Sequence, residues 1–308
     1  MYIIEATDQL DEHQLYQFWR KLGCPEIPDL LAIKGILTPS PNEALIRFEV
    51  KHDLETVGMV IAVSDAQNRI AYIQFLGVLP EYRNKGSAKT LLLGLEKHQY
   101  KKGIQLIKFR GNPNNYIYPG IDVHLEKDLI SLLKRCDYKE SSFPIAMRLD
   151  LTGLREGLQI PQFISQYTVR EIEQIDLDQI TVLCEKLDRT EWILTIQSGY
   201  KQRKTDSVGY LCVDQDSNVV GFGFFGIIGS DLCRFGPIGV DPGHRGHSIG
   251  KRLVLTCLEA QRKLGCLQSY FLWGDKGSVA EKMYTAIGFK VFKEMVILEK
   301  SSFDILLD

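Results

Sequence analysis

The sequence has no long hydrophobic run and no paired cysteine motif. No stretch approaches the roughly 18 consecutive apolar residues that a membrane-spanning helix needs, so we expect no membrane span. The seven cysteines are scattered, include no Cys-x-x-Cys and are odd in number, which argues against a disulfide framework. We therefore expect reduced, mostly buried thiols.

Charge of one sign is also scarce. The formal net charge is −2 without a long acidic or basic run, so bulk charge offers nothing to nucleic acid or to an anionic membrane. The first residues carry acids and lack both a basic start and a long apolar run, so we expect no signal peptide and a cytoplasmic location. The length of 308 residues suggests two domains of about 150 residues each.

One short stretch occurs twice. "VLPEYRNKGSAK" at 78–89 is matched by "VDPGHRGHSIGK" at 240–251, at a constant offset of 162. The apolar positions that follow match at the same offset, with i, i+3, i+4, i+7 spacing, at Ala88, Leu91, Leu92 and Leu95 and at Gly250, Leu253, Val254 and Cys257. This spacing predicts two amphipathic helices, each burying one face against a sheet.

The surrounding segments repeat as well. Hairpin-like strands precede each motif, another strand follows it, and a short helix then closes at Tyr138 or at Phe289. The offset falls from 162 to 151 there, so the first half holds 11 more residues, in the loop-like "NPNNYIYPGIDVHL". We predict a mixed α/β fold, an α+β mixed sheet in each half, with domains at 1–150 and 166–308 and a linker at 151–165.

The turn between strand and helix has the features of an anion site. Backbone N–H groups in the first helical turn have no partner within the helix, and the helix dipole places partial positive charge there. A small residue allows a pyrophosphate to approach the backbone. The side chains of Arg83 and Lys85, or of Arg245 and His247, are candidate additional donors.

Val-x-Pro-x-x-Arg-x-x-Gly-x-Ala after a hairpin resembles the acetyl-CoA signature of the GNAT superfamily of acetyltransferases. "EKMYTAIGF" resembles the family's closing motif, with Tyr284 four residues before Gly288. The second copy departs from the signature because Ser248 stands where the first glycine belongs. The resemblance covers most of both halves. It implies two tandem GNAT-fold domains forming a pseudo-dimer, which favours a monomeric chain.

The resemblance also implies transfer of an acetyl group from acetyl-CoA to an amine, without a metal. A backbone N–H near Val240 would polarise the thioester carbonyl, and Tyr284 would protonate the leaving thiolate. The implied cofactor-binding residues are Val78, Arg83, Asn84, Lys85, Gly86, Ser87 and Ala88 in the first copy, and Val240, Arg245, Gly246, His247, Ser248, Ile249 and Gly250 in the second.

The two copies differ in their candidate acids and bases. The first copy has Leu133 where the second has Tyr284, so Tyr116 or Tyr118 in the longer loop is its alternative acid. Asp231 and Gln74 are the candidate bases, although Asp231 also fits a turn. His244 and His247 are spaced like metal ligands, but no third ligand is evident and we predict no metal site.

Three interpretations follow from the sequence. The first is an acetyl-CoA-dependent N-acetyltransferase acting on a small-molecule or peptide amine by direct attack in a ternary complex. The second is a non-catalytic CoA-binding or regulatory protein. The third is one catalytic half joined to an inert half. The sequence does not identify the acceptor.

Overall fold

The computed structural model describes residues 2–5, 10–24, 28, 30–113, 116–153, 166–203, 205–228 and 231–302. The chain forms two compact units. Unit 1 comprises Met1–Ile145 together with Lys293–Asp308, and unit 2 comprises Ala146–Phe292. Within the described residues, no helix is long and apolar enough to cross a membrane.

The first half of the chain alternates between helices and strands. In chain order its elements are β1 Tyr2–Glu5, α1 Glu12–Lys21, α2 Leu30–Leu37, β2 Glu43–His52, β3 Glu55–Asp65, β4 Ile70–Val78, α3 Ser87–Lys101, β5 Leu106–Phe109, β6 Ile121–Asp122, α4 Lys127–Arg135, β7 Lys139–Ser142 and β8 Pro144–Asp150.

The second half repeats this order with shorter hairpins. Its elements are β9 Thr168–Glu171, α5 Leu177–Lys186, α6 Glu191–Lys201, β10 Gly209–Val213, β11 Val219–Phe225, β12 Phe235–Val240, α7 Ile249–Lys263, β13 Gln268–Asp275, α8 Val279–Ile287 and β14 Lys290–Ser301.

The sheet of unit 1 is mostly antiparallel. The strands β1, β2, β3 and β4 are successive antiparallel neighbours, and β5 joins β4 in parallel. On its other side β5 pairs with β14, antiparallel, and β14 also pairs with β6 and β7. The last strand of the chain therefore completes the sheet of the N-terminal unit.

Unit 2 contains an antiparallel sheet in the order β12-β11-β10-β9, and β8 lies beside β13. Its helices α5 and α6 cover one face, where Phe222 and Phe224 of β11 are fully buried. The other face packs against α7, and the short strand β9 forms the edge of that sheet opposite β12.

The two helices predicted from the repeat are confirmed, and each buries the predicted stripe. In α3 the buried residues include Leu91, Leu92 and Leu95. In α7 they include Leu253, Val254 and Cys257. Gly58 and Gly221 let the helices approach, because a Cβ at either glycine would lie 3.3 Å or less from the Leu91 or Leu253 side chain.

The compact units differ from the predicted domains at the carboxyl ends. Residues 293–308 lie with unit 1 rather than with 166–292, and residues 146–150 lie with unit 2. The predicted boundaries, 1–150 and 166–308, describe the repeating segments of the sequence and stay a prediction. Most of the predicted linker, 151–165, lies outside the described residues.

Candidate active site

In unit 1 the first copy of the motif forms a turn between β4 and α3. A 3-10 turn at Pro80–Tyr82 leads to Asn84 and Gly86, which both have left-handed backbone conformations with φ of 59° and 84°. Gly86 precedes the first residue of α3 and no side chain caps the helix. The N–H groups of the first turn therefore have no side-chain cap, which is the arrangement expected of an anion site.

The second copy builds the same turn in unit 2 with a different residue at its tightest point. A 3-10 turn at Pro242–His244 leads to Ser248, whose φ is 60°, and α7 begins at the next residue. The Ser248 side chain makes no cap hydrogen bond. The serine therefore leaves the helix N–H groups as open as Gly86 does, but holds a conformation that L-residues adopt only with strain.

The two motif arginines have different environments. In unit 1 the Arg83 Nε donates to the Val78 carbonyl at 3.0 Å, and its Nη2 donates to the Leu22 carbonyl at 2.6 Å. These bonds tie the turn to the end of α1, so this guanidinium holds the loop. The Arg245 side chain is exposed and makes no hydrogen bond or ion pair with any residue that the structure describes. Its guanidinium can reach an anion.

The histidines of the second turn pack on an aromatic ring. The Tyr167 hydroxyl lies 3.2 Å from His244 Nδ1, and the Tyr167 ring centroid lies 5.5 Å from that of His247. Lys85 holds the equivalent place in unit 1, with its ammonium 5.4 Å from the centre of the Tyr82 ring. No cluster of three or more His, Cys, Asp or Glu side chains suited to a metal occurs within the described residues.

Both units open a gap between the motif strand and the next strand of the sheet. In unit 1 the ladder between β4 and β5 ends at Ile73 and Phe109, while β4 continues to Val78. A β-bulge at Gln74, where Ile61 faces Phe75 and Ala62 faces Ile73, bends β4 at this point. Beyond Ile73 the described residues of β4 are no longer paired with β5, and the Val78 carbonyl accepts from Arg83 Nε instead.

In unit 2 the motif strand has less pairing with the next strand than in unit 1. A single bridge joins Arg234 to Tyr270, just before β12. Beyond it, no ladder between β12 and β13 occurs in the described part of the chain, so one backbone edge of Phe235–Val240 is open. In each unit the part of the motif strand beyond this ladder or bridge leads to an uncapped helix N-terminus. An extended ligand can therefore bond to the strand while its anionic end binds at the helix.

Tyr284 lies on α8 and packs against side chains of β12 and β13. Its ring centroid is 4.6 Å from that of Phe271 on β13 and 6.3 Å from that of Phe235 on β12. Among the described residues its hydroxyl makes no hydrogen bond. Burial, followed by the nearby Cys257 thiol, raises the pKa of Tyr284 well above its usual value. The phenol is therefore protonated at neutral pH.

The first copy has a leucine at the place that corresponds to Tyr284. Leu133, at the matching place on α4, is fully buried. In the longer loop, the Lys293 ammonium lies 4.3 Å from the centre of the Tyr118 ring and 3.1 Å from Asp122 Oδ2. The ring of Tyr118 thus packs against a cation, and its role as an alternative acid stays a prediction. Tyr116 is half-buried.

Two segments of the chain, residues 7–116 and 169–289, match the model of the Acetyltransferase (GNAT) family, and together they span well over half of the sequence. The chain belongs to the GNAT family. The two matches confirm the tandem arrangement of GNAT domains that the repeat predicts.

Solved GNAT structures share this fold. The glucosamine N-acetyltransferase region of a fungal multi-domain GH3 β-N-acetylglucosaminidase superposes with a TM-score of 0.77 at 14% identity, over 97% of this chain and 38% of that one. A tandem GNAT protein from the clavulanic acid biosynthesis pathway gives 0.70 at 15%, over 97% and 98%. A GCN5-related N-acetyltransferase from Sphaerobacter thermophilus gives 0.68 at 15%, over 97% and 95%. Such identities establish the fold alone. The curated proteins include no match.

Within this GNAT frame, the candidate bases have defined contacts. Asp231 accepts from the Cys233 N–H at 2.9 Å, as a turn residue does, and from the Tyr270 hydroxyl at 2.7 Å. Gln74 is buried at the bulge of unit 1. Neither observation tests whether Asp231 or Gln74 takes a proton from the attacking amine, so their roles as bases stay predictions.

Sequence reasoning missed one ion pair beside the second turn. Asp241 accepts from Lys186 Nζ at 2.7 Å and from the Gly243 N–H at 2.9 Å. Burial raises the pKa of Asp241, but the Lys186 hydrogen bond and the Gly243 N–H outweigh it and hold the pKa below its usual value. Leu79 stands at the matching place in unit 1. The sequence signal for this ion pair is the replacement of Leu79 in the first turn by Asp241 in the second.

Proposed function

We propose that this GNAT protein is an acetyl-CoA-dependent N-acetyltransferase and that unit 2 performs the transfer. The observation that carries the proposal is the placement of Tyr284. Its buried ring packs on Phe235 at the start of β12, its phenol is protonated, and β12 leads to the uncapped N-terminus of α7. An anion site, an open strand and a proton donor thus occur within one unit.

The proposed chemistry is direct attack by an amine on the thioester carbonyl. A C–N bond forms as the C–S bond breaks, and a backbone N–H of β12 near Val240 stabilises the charge on the carbonyl oxygen. The departing thiolate, whose thiol has a pKa of about 8.5 in water, takes the phenol proton of Tyr284. The proton lost by the attacking amine restores the phenol. A small-molecule or peptide amine is the proposed acceptor.

Unit 1 is proposed to bind acetyl-CoA without reacting. Its turn is closer to the family signature than that of unit 2, because Gly86 supplies the left-handed residue without strain. Its α4 has buried Leu133 where α8 has Tyr284, so the leaving thiolate has no phenol there. Under this proposal the copy with the better anion-binding turn only binds acetyl-CoA. The copy with the candidate acid performs the transfer.

The replacement Tyr284→Phe tests the role of the phenol. It removes one hydroxyl that makes no hydrogen bond with any described residue, so the packing of the ring is retained. We expect turnover of acetyl-CoA with an amine panel to fall about 10²-fold or more, the usual contribution of a positioned acid. The affinity for acetyl-CoA should change little.

Tyr200→Phe is the matched control, because it removes a buried hydroxyl of unit 2 that donates to the Ile172 carbonyl at 3.3 Å, on the α6 side of the sheet. Its turnover should stay near that of the parent protein. Full turnover by Tyr284→Phe would exclude Tyr284 as the acid. Tight binding of acetyl-CoA with no acetylated product from any amine would favour a regulatory CoA-binding protein.

A further inference from the structure

The strands β8 and β14 correspond to each other in the sequence repeat, and one of them, β14, lies beside β5. At the offset of 151, β14 corresponds to residues 139–150, which form β7 and β8. The place beside β5 in unit 1 is filled by β14, although β8 is its nearer counterpart along the chain. Both strands have a hydrophobic pattern that suits a sheet, so apolar burial alone does not distinguish them.

A buried ion pair distinguishes them. Lys300 on β14 lies 2.9 Å from Glu96 on α3, and the two side chains are only 7% and 3% exposed. Burial raises the pKa of Glu96, and the hydrogen bond from Lys300 opposes this. At the offset of 151 the residue of β8 that corresponds to Lys300 is Leu149, and at the offset of 162 the residue of α7 that corresponds to Glu96 is Leu258. The equivalent place in unit 2 is thus apolar.

Two further pairs favour the same strand. Lys108 on β5 lies 3.4 Å from Glu299 on β14, whereas Arg148 is the corresponding residue of the first repeat. Its charge would repel Lys108. Lys293 lies 3.1 Å from Asp122, and the corresponding residue is the uncharged Ser142.

We propose that the Glu96–Lys300 pair, supported by these two pairs, selects β14 over β8 as the partner strand of β5. With β8 in this place, Glu96 would be buried against Leu149 without a counter-charge, and a buried unpaired charge is strongly unfavourable. In an apolar site Lys300 would suffer the same penalty. The charges of Glu96 and Lys300 therefore destabilise pairing of β5 with β8 more than they stabilise pairing of β5 with β14. They also keep the edge of β5 from accepting β8 of a second chain.

Crosslinking between β5 and either strand tests this selection. Lys108→Cys is combined with Glu299→Cys to report β14, or with Arg148→Cys to report β8. Because Lys108 is replaced in both reporters, neither contains the Lys108–Glu299 pair, and the comparison tests the Glu96–Lys300 pair. A short bismaleimide links the thiols, and mass spectrometry of the digested protein identifies the linked positions. In otherwise unchanged protein we expect the 108–299 link and little of the 108–148 link.

The same reporters are then placed in the double variant Glu96→Leu, Lys300→Leu. Leucines already occupy the matching positions of unit 2, so the packing is tolerated. We expect the 108–148 link to grow at the expense of 108–299, within one chain or between two. Exclusive retention of the 108–299 link would overturn the proposal. The control variant Glu96→Lys, Lys300→Glu exchanges the two charges and restores the attraction, so the 108–299 link should dominate again. Dominance of the 108–148 link in this variant would also contradict the proposal.

Discussion

The left-handed residue before each motif helix shows what a single side chain changes. Gly86 has a φ of 84° and open space where a Cβ would be, so its backbone conformation is the reason for a glycine there. Ser248 holds a similar conformation with a side chain that makes no cap bond. The second turn therefore keeps the shape of the site at a cost of roughly 1–2 kcal/mol.

Gly86→Ser gives unit 1 the residue of unit 2 and measures this cost. We expect the free energy of unfolding to fall by about 1 kcal/mol, since the left-handed conformation becomes strained while no contact is lost. Urea unfolding followed by circular dichroism gives the value. Ser248→Gly is the reciprocal variant and should leave stability unchanged or raise it. Destabilisation by Ser248→Gly as large as that by Gly86→Ser would show that strain is not the cause.

At the scale of elements, one ion pair fixes how α5 begins. Arg170 at the end of β9 donates to both carboxylate oxygens of Asp176, at 2.7 and 2.6 Å, and Asp176 also accepts from the Glu173 N–H at 2.8 Å. The hydrogen bond from Arg170 is the main cause that holds the pKa of Asp176 below its usual value. The carboxylate thus joins a strand, a turn and a helix.

Asp176→Asn should lower the free energy of unfolding by about 2 kcal/mol at pH 7, the usual size of a charged hydrogen bond. Because the pKa of Asp176 is lower in the folded state, its contribution is complete above the unfolded value near 4. It is lost as the pH falls through the folded value. The difference between parent and variant in urea unfolding should therefore be full at pH 7 and smaller below about pH 4. A difference independent of pH would contradict this account.

The sequence predicted the motif helices and the hairpins well, because the signals for both lie among residues that are close together in the chain. The stripe at Leu91 and Leu95 needs only its own helix and a sheet to pack on. The direction of Arg83 could not be predicted, because its acceptor at Leu22 is 61 residues away. The place of β14 beside β5 could not be predicted either. Its ion-pair partner Glu96 is 204 residues away, and nothing near Lys300 in sequence identifies it.

At the scale of the whole molecule, the central claim is a division of labour between two GNAT units. In both units the motif strand separates from the next strand and leads to an uncapped helix, and α8 of unit 2 has Tyr284 where α4 of unit 1 has Leu133. An aspartate in the first helical turn repels a bound diphosphate while suiting the helix dipole. Ala88→Asp therefore affects the site of unit 1 selectively, and Gly250→Asp does so for unit 2.

The most direct test is the kcat/KM for acetyl-CoA of these two variants, with binding stoichiometry measured by calorimetry on the same samples. We expect each variant to retain one of two sites. Gly250→Asp should lose roughly 10²-fold or more in kcat/KM, because juxtaposed like charges cost several kcal/mol, while Ala88→Asp should keep the parent value. Loss of turnover in Ala88→Asp with full turnover in Gly250→Asp would contradict the account.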